Sequence, residues 1–175
     1  MAIEVEIRSF ISEEKYRELL EFFSKEGKVL NEDEQVTYYF DCDEDLRIQK
    51  NKFFSKIWLK KGKIHDDQRE EIEVRFDRDK FDELERLFLS LGMGVEIKWF
   101  RKRHAFEWQG VKVSVDYTKG YGYIVEFERM AEEENKDSVL AELKQKFEGL
   151  GISLTPKEEF NEKYEYYKKN WRELV

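Results

Sequence analysis

Apolar and charged residues alternate along Ile3-Glu4-Val5-Glu6-Ile7-Arg8-Ser9-Phe10. A period of two predicts a strand with one apolar and one charged face. The period then lengthens. Tyr16, Leu19, Leu20 and Phe23 recur at helical spacing, with Ser12 placed to cap the helix and Gly27 to end it. Between residues 34 and 61, β-branched and aromatic residues cluster between polar turns, which predicts three short strands. They centre on Thr37-Tyr38-Tyr39-Phe40, on Leu46-Arg47-Ile48-Gln49 and on Phe53 to Lys60. Gly62 to Gln68 reads as a polar loop. Alternation returns over Arg69-Glu70-Glu71-Ile72-Glu73-Val74-Arg75-Phe76. A second helix follows, capped by Asp79 and ending at Gly92, with Phe81, Leu84, Leu87, Phe88 and Leu91 expected inward. Three more strands fit 95–108, 111–118 and 121–129, with turns at Gln109-Gly110 and Lys119-Gly120. A third helix fits 136–148, and a fourth runs from Pro156 to Trp171.

A strand–helix unit repeats within this pattern. Glu4-x-Glu6-x-Arg8 recurs as Glu71-x-Glu73-x-Arg75, each ahead of an amphipathic helix that ends at Gly, and Glu126-x-Glu128 precedes the third helix. Val5, Ile7, Ile72, Val74, Val125 and Phe127 then form an apolar face for the helices to cover. The charged face has two outcomes. An open sheet leaves it in water. Eight strands are also enough to close a barrel with a small interior, which turns the charges inward. The expected fold class is α+β, an eight-stranded antiparallel β-barrel with helices packed outside, in a single domain over residues 1–175. Charges turned inward are costly unless paired or bound to a ligand. Carboxylates can hold a divalent cation, while guanidinium and ammonium groups hold phosphate oxygens.

Composition narrows the partner. The chain is 40% hydrophobic and 41% charged, with a formal net charge of −8. The acidic balance argues against bulk binding to nucleic acid or an anionic membrane. Cys42 is the single cysteine and only two histidines occur, so a cysteine or histidine-rich metal site is not expected. Any metal would be held by carboxylates, which points to Mg²⁺ or Mn²⁺. There is no apolar run of about 18 residues that would span a bilayer. The start at Met1-Ala2-Ile3-Glu4 lacks signal-peptide features, so the expected location is the cytoplasm.

The motifs and their order resemble the CYTH family, the triphosphate tunnel metalloenzymes. This family includes class IV adenylyl cyclases, thiamine triphosphatases and inorganic tripolyphosphatases. Glu4-x-Glu6-x-Arg8 resembles its ExExK signature, Tyr39-Phe40-Asp41 its YFD, and Leu46-Arg47-Ile48-Gln49 its LRIR. Lys60 before Gly62 matches a strand lysine, and Arg69-x-Glu71-x-Glu73 matches RxExE. Arg101-x-Arg103-x-x-Phe106 resembles KxRxxY, while Asp116, Gly120, Gly122, Glu126 and Glu128 fit DxxxGxGxxxExE. Lys163-Tyr164 is similar to a terminal SY. Some positions depart. Gln49 replaces an arginine, Trp58 stands where a small polar residue is usual, Phe106 lacks a tyrosine hydroxyl, and Lys163 replaces a serine.

The resemblance implies a tunnel that binds a triphosphate and one or two divalent ions. Glu4, Glu6, Glu126 and Glu128 would be metal ligands, with Glu71 and Glu73 as further acidic members. Arg8, Arg47, Lys60, Arg69, Arg101 and Arg103 would grip phosphate oxygens, and Asp116 would be a ligand or orient an arginine. Glu4, Glu6, Arg8, Lys60 and Glu126 form the implied catalytic set. The implied chemistry is metal-assisted phosphoryl transfer. Three activities stay open: a triphosphate hydrolase, a class IV adenylyl cyclase, and a nucleotide or polyphosphate receptor without turnover. Trp58 would narrow the tunnel, stack on a base, or pack outward. The expected partner is a triphosphate-containing small molecule, with a homodimer left open.

Overall fold

The computed structural model describes residues 3–60 and 71–175. The expected loop from Gly62 to Gln68 and the candidate phosphate ligand Arg69 lie outside those residues. The elements run β1 (Ile3–Ile11), α1 (Glu13–Glu26), β2 (Lys28–Phe40), β3 (Asp45–Lys50), β4 (Ser55–Lys60) and β5 (Glu71–Phe76). A short 3-10 turn (Arg78–Lys80) leads into α2 (Phe81–Ser90). Then come β6 (Val95–Trp108), β7 (Val111–Thr118), β8 (Gly122–Ala131), α3 (Lys136–Gly149) and α4 (Lys157–Leu174).

The strands form one eight-stranded sheet in the order β1-β8-β7-β6-β2-β3-β4-β5, and the registered pairs are antiparallel. With four helices this is an α+β fold. β1 and β5 stand at the ends of the strand order, so the sheet is not closed by pairing among the described residues.

The chain divides into two compact units, residues 1–32 with 102–167 and residues 33–101 with 168–175. In the first, the apolar faces of β1, β7 and β8 pack against α1 and α3. Ile7, Leu19, Phe23, Val113, Val115, Val125, Phe127, Leu143 and Phe147 are buried there. The aromatic rings interlock. Phe23 lies 5.7 Å from Phe106, 5.5 Å from Trp108 and 6.0 Å from Phe127 between ring centroids. Each such fully buried side chain contributes about 1.5–3 kcal/mol. Ser12 accepts a hydrogen bond from Lys15 N and starts α1. Gly27 ends it where a Cβ would come within 2.9 Å of Phe23 O and 3.1 Å of Glu107 O, so only glycine fits. Gln109 and Gly110 both take positive φ, 49° and 72°, the geometry of a tight two-residue turn between antiparallel strands.

In the second unit, Phe40, Ile48, Phe81, Leu84 and Phe88 form the core, with Val36, Tyr38, Leu46 and Ile57 around them. Here the helix differs from expectation. Phe81, Leu84 and Phe88 are buried, but Leu87 and Leu91 are 55% and 66% exposed. The buried three fall at i, i+3 and i+7, a stripe too narrow to include the other two. Asp79 lies inside the 3-10 turn, and neither that turn nor α2 has a side-chain cap. Ile72 and Val74 are also half-exposed, unlike their counterparts Val125 and Phe127. β2 runs further than expected, from Lys28.

Candidate functional site

In the first unit the alternating charges of β1, β7 and β8 face the side opposite the apolar core. Register decides who meets whom. Glu6 lies opposite Glu128, and Arg8 opposite Glu126. On the next strand Lys112 lies opposite Glu128 and Ser114 opposite Glu126. Glu4, Glu6, Glu126, Glu128 and Asp116 therefore share one face with Arg8 and Lys112. Arg103 reaches them from β6. Its Nε donates to Asp116 Oδ1 and Oδ2 at 3.0 and 3.1 Å, and its Nη2 to Oδ2 at 2.7 Å. The same Nη2 lies 3.6 Å from Glu126 Oε1. Lys112 Nζ approaches Glu128 at 3.1 Å. Asp116 thus orients an arginine.

Crowding shows in the acidities. Burial pushes the Glu6 carboxyl up, Glu126 adds to it, Arg8 opposes it, and Glu4 and Glu128 contribute further, to a pKa of about 8. Glu4 is also raised, by burial and by the charge of Glu128, against the pull of Lys112. Glu6 stays accessible to solvent while protein atoms crowd around its carboxyl. That combination marks a group on an open, crowded charged face rather than in a packed core. Arg103 is raised as well. Burial works against its charge, but Asp116, Glu126 and Glu6 outweigh burial and hold the guanidinium protonated.

The donor set is all carboxylate oxygen, which suits Mg²⁺ or Mn²⁺. Among the described residues no three acidic side chains already form a closed cation cage. Strand spacing explains this, because successive same-face residues on one strand lie nearly 7 Å apart. The raised pKa values of Glu4 and Glu6 come from burial and from neighbouring carboxylates, a charge excess that a divalent cation would relieve, so the residues fit such an ion.

The second unit has its own charged face. Arg47 lies opposite Tyr39 and Trp58, Gln49 opposite Thr37 and Lys56, and Lys60 opposite Asp45 and Glu71. Arg47 is held by Asp45 through two 2.6 Å hydrogen bonds and stacks 4.2 Å from the Tyr39 ring centroid. Gln49, in place of an arginine, is buried and donates to Thr37 Oγ1 at 3.0 Å. Trp58 is on the charged face, 6% exposed, so it does not pack outward. Lys56 Nζ sits 4.2 Å from its ring centroid and the Arg47 guanidinium 5.6 Å away. Among the described residues its indole N–H has no hydrogen-bond partner. A ring buried this deeply beside two cations has no open face for a nucleobase. Glu73 is engaged by Lys56 and Arg75, both at 2.7 Å, and these hydrogen bonds outweigh burial and hold its carboxyl below the usual range. Arg101 stands 5.9 Å over the Trp99 ring. Glu71 sits on β5 opposite Lys60.

Two residues escaped the motif reading. Lys112 and Ser114 occupy the charged face of β7 at the same alternation as Asp116, and that period of two was the available signal. Phe106, aligned with a family tyrosine, instead faces the aromatic core.

The CYTH domain profile matches residues 2–159. The chain belongs to the CYTH family. Members of this family are often enzymes, triphosphatases and cyclases among them. Several solved structures share the fold of this CYTH protein. A conserved hypothetical protein from Pyrococcus furiosus is 22% identical with a TM-score of 0.69, over 86% of this chain and 91% of that one. A candidate adenylyl cyclase from Hippeastrum, with a dominant triphosphatase activity, is 20% identical with a TM-score of 0.66, over 90% and 93%. A candidate adenylate cyclase from Vibrio parahaemolyticus is 16% identical with a TM-score of 0.66, over 86% and 90%. At these identities the likeness is one of fold. No curated protein matches the chain. Among the described residues no helix is long and apolar enough to cross a membrane.

Proposed function

We propose that this CYTH protein hydrolyses triphosphates, either inorganic tripolyphosphate or a nucleoside or thiamine triphosphate, with the help of Mg²⁺ or Mn²⁺. One observation carries the reading: four glutamates crowd one face of β1 and β8 until Glu6 holds its proton to about pH 8, with an arginine fixed beside them. A receptor for anions alone gains nothing from that arrangement, since bare carboxylates repel phosphate.

Glu4, Glu6, Glu126 and Glu128 would hold the cation. A cation held there would supply neutralisation of phosphate charge and a lowered pKa for an attacking water. Arg103, kept in one orientation by Asp116, supplies a guanidinium for charge that develops on the transferring group. Arg8 adds a second guanidinium on the same face. In the second unit, Arg47 and Lys60 lie on a charged face of their own. Arg47, already neutralised by Asp45, positions more than it attracts. No side chain has to form a covalent bond to the phosphoryl group.

A second reading draws on the two fold relatives named for adenylyl cyclase. There the attacker is the ribose hydroxyl of ATP rather than water, and pyrophosphate leaves. Incubation with tripolyphosphate, ATP and thiamine triphosphate, with Mg²⁺ or Mn²⁺, separates the two. Orthophosphate without cyclic AMP supports the hydrolase, and cyclic AMP with pyrophosphate replaces it with the cyclase. Tight binding with no turnover of any substrate would overturn both.

A further inference from the structure

Lys112 enters the charged face of the first unit at the start of β7, and the mechanism above gives it no role. Register sets it opposite Glu128, which in turn lies opposite Glu6. Its Nζ donates to both oxygens of the Glu128 carboxylate, at 3.3 Å to Oε1 and 3.1 Å to Oε2. Its charge also reaches Glu4, where it opposes the burial and the Glu128 charge that raise that carboxyl. Two of the four carboxylates assigned to the cation therefore already answer to one ammonium. The basic groups of this face are not held equally firmly. Arg103 is tied to Asp116 by three hydrogen bonds, with 22% of its side chain exposed. Lys112 is 50% exposed and is held by one carboxylate. Ionic contacts of that exposed kind are among the weakest in a protein. A lysine ammonium is a compact, strongly hydrated charge on a flexible stem, so it can leave for solvent at little cost.

We propose that Lys112 is a built-in competitor of the divalent cation: its ammonium engages Glu128 until the metal displaces it, and so sets the concentration of Mg²⁺ or Mn²⁺ at which the site fills. The inference rests on the cation role given above to the four glutamates and adds the residue that tunes it. A divalent ion ligated by Glu128 would stand about 2 Å from a carboxylate oxygen. The ammonium already stands 3.1 Å from one of those oxygens. Two like charges so close repel strongly, and the half-exposed lysine relieves the repulsion by swinging into water. Lys112 thus weakens cation binding in two ways. It must give up Glu128, and its charge opposes a second positive ion on the same face. The exchange is ionic throughout: the hydrogen bonds from Nζ to Glu128 break, metal–oxygen contacts replace them, and the ammonium keeps its proton.

Titration with Mn²⁺ alone, followed by calorimetry, tests this without turnover. Lys112→Met should tighten Mn²⁺ binding by about three- to tenfold, the scale of a lost exposed ion pair plus a removed like charge. Lys112→Arg keeps the charge and should stay within about twofold of the parent. Lys119→Met removes the same formal charge just past the far end of β7 and should leave the affinity unchanged. A footprint on the parent protein gives a readout that needs no Lys112 variant to fold. Acetylation of Lys112, read by mass spectrometry, should speed up as Mn²⁺ or Mg²⁺ is added, and should not in Glu6→Gln. Equal affinity in the parent and Lys112→Met would overturn the role of Lys112 while leaving the cation site standing. So would equal tightening in Lys112→Met and Lys119→Met, or an acetylation rate that ignores a cation seen to bind by calorimetry. No Mn²⁺ binding to the parent or to any variant would overturn the cation site itself, and this role with it.

Discussion

Glu6 concentrates the chemistry of the first unit in one side chain. Its carboxyl is crowded by burial and by three other glutamates, with Arg8 in opposition. Glu6→Gln removes a charge the fold disfavours and, in the function proposed above, a ligand for the cation. The expected result is loss of divalent-dependent turnover, by a hundredfold or more on the usual scale of metal-assisted catalysis, with unfolding stability equal to or above the parent without metal. A variant that turns over normally would remove Glu6 from the cation site. Asp116 behaves oppositely. It is 3% exposed and compensates the Arg103 guanidinium, so Asp116→Asn leaves a mostly buried cation short of a partner. A loss of about 2 kcal/mol in urea unfolding is expected, below the full cost of a broken buried pair because Arg103 keeps 22% of its side chain in solvent. The roles of these two acids were not equally legible beforehand. Both lie in motifs, yet only the register that brings Arg103 to Asp116 separates an orienting carboxylate from a ligand.

The strands and helices followed their sequence periods where packing agreed with them. β1, β7 and β8 alternate cleanly because one face is buried under α1 and α3 and the other carries charge. α2 shows the limit. Its apolar residues span more of the helix circumference than the sheet beneath can cover, so Leu87 and Leu91 are left outside although the pattern placed them inward. At the end of α1 the constraint is steric. Gly27→Ala forces a Cβ into two carbonyl oxygens, and a loss of about 1–3 kcal/mol is expected in thermal or urea unfolding. An unchanged midpoint would mean that the backbone there relaxes freely.

For the molecule as a whole, the proposed cation site would link cation binding to the protonation of Glu6. The folded protein keeps the Glu6 proton to about pH 8, whereas an ordinary glutamate loses it near 4.5. Between those values the folded state binds more protons than the unfolded chain, so stability falls as pH rises through that window. Below it the contribution vanishes, and above pH 8 the penalty is complete. A divalent cation that displaces the proton should therefore stabilise more at high pH. Melting temperatures measured in chelator and in Mg²⁺ from pH 5 to 9 should diverge as pH increases. Parallel curves would argue against a cation at Glu6.

Much of this protein was written in local pattern. The periods of two and 3.6, Ser12 and Gly27 at the ends of α1, and the Gln109-Gly110 turn each act within a few neighbouring residues, so composition and order were enough to fix them. The charged rows and the motifs that mark the CYTH family were legible for the same reason. Tertiary structure alone decided which charges meet. Pairing between strands far apart in sequence set Glu6 against Glu128, bound Arg103 to Asp116, turned Trp58 onto the charged face and left Ile72 and Val74 half-exposed. Those outcomes rest on register and on how much sheet each helix can cover, and both depend on contacts that no local stretch of chain contains.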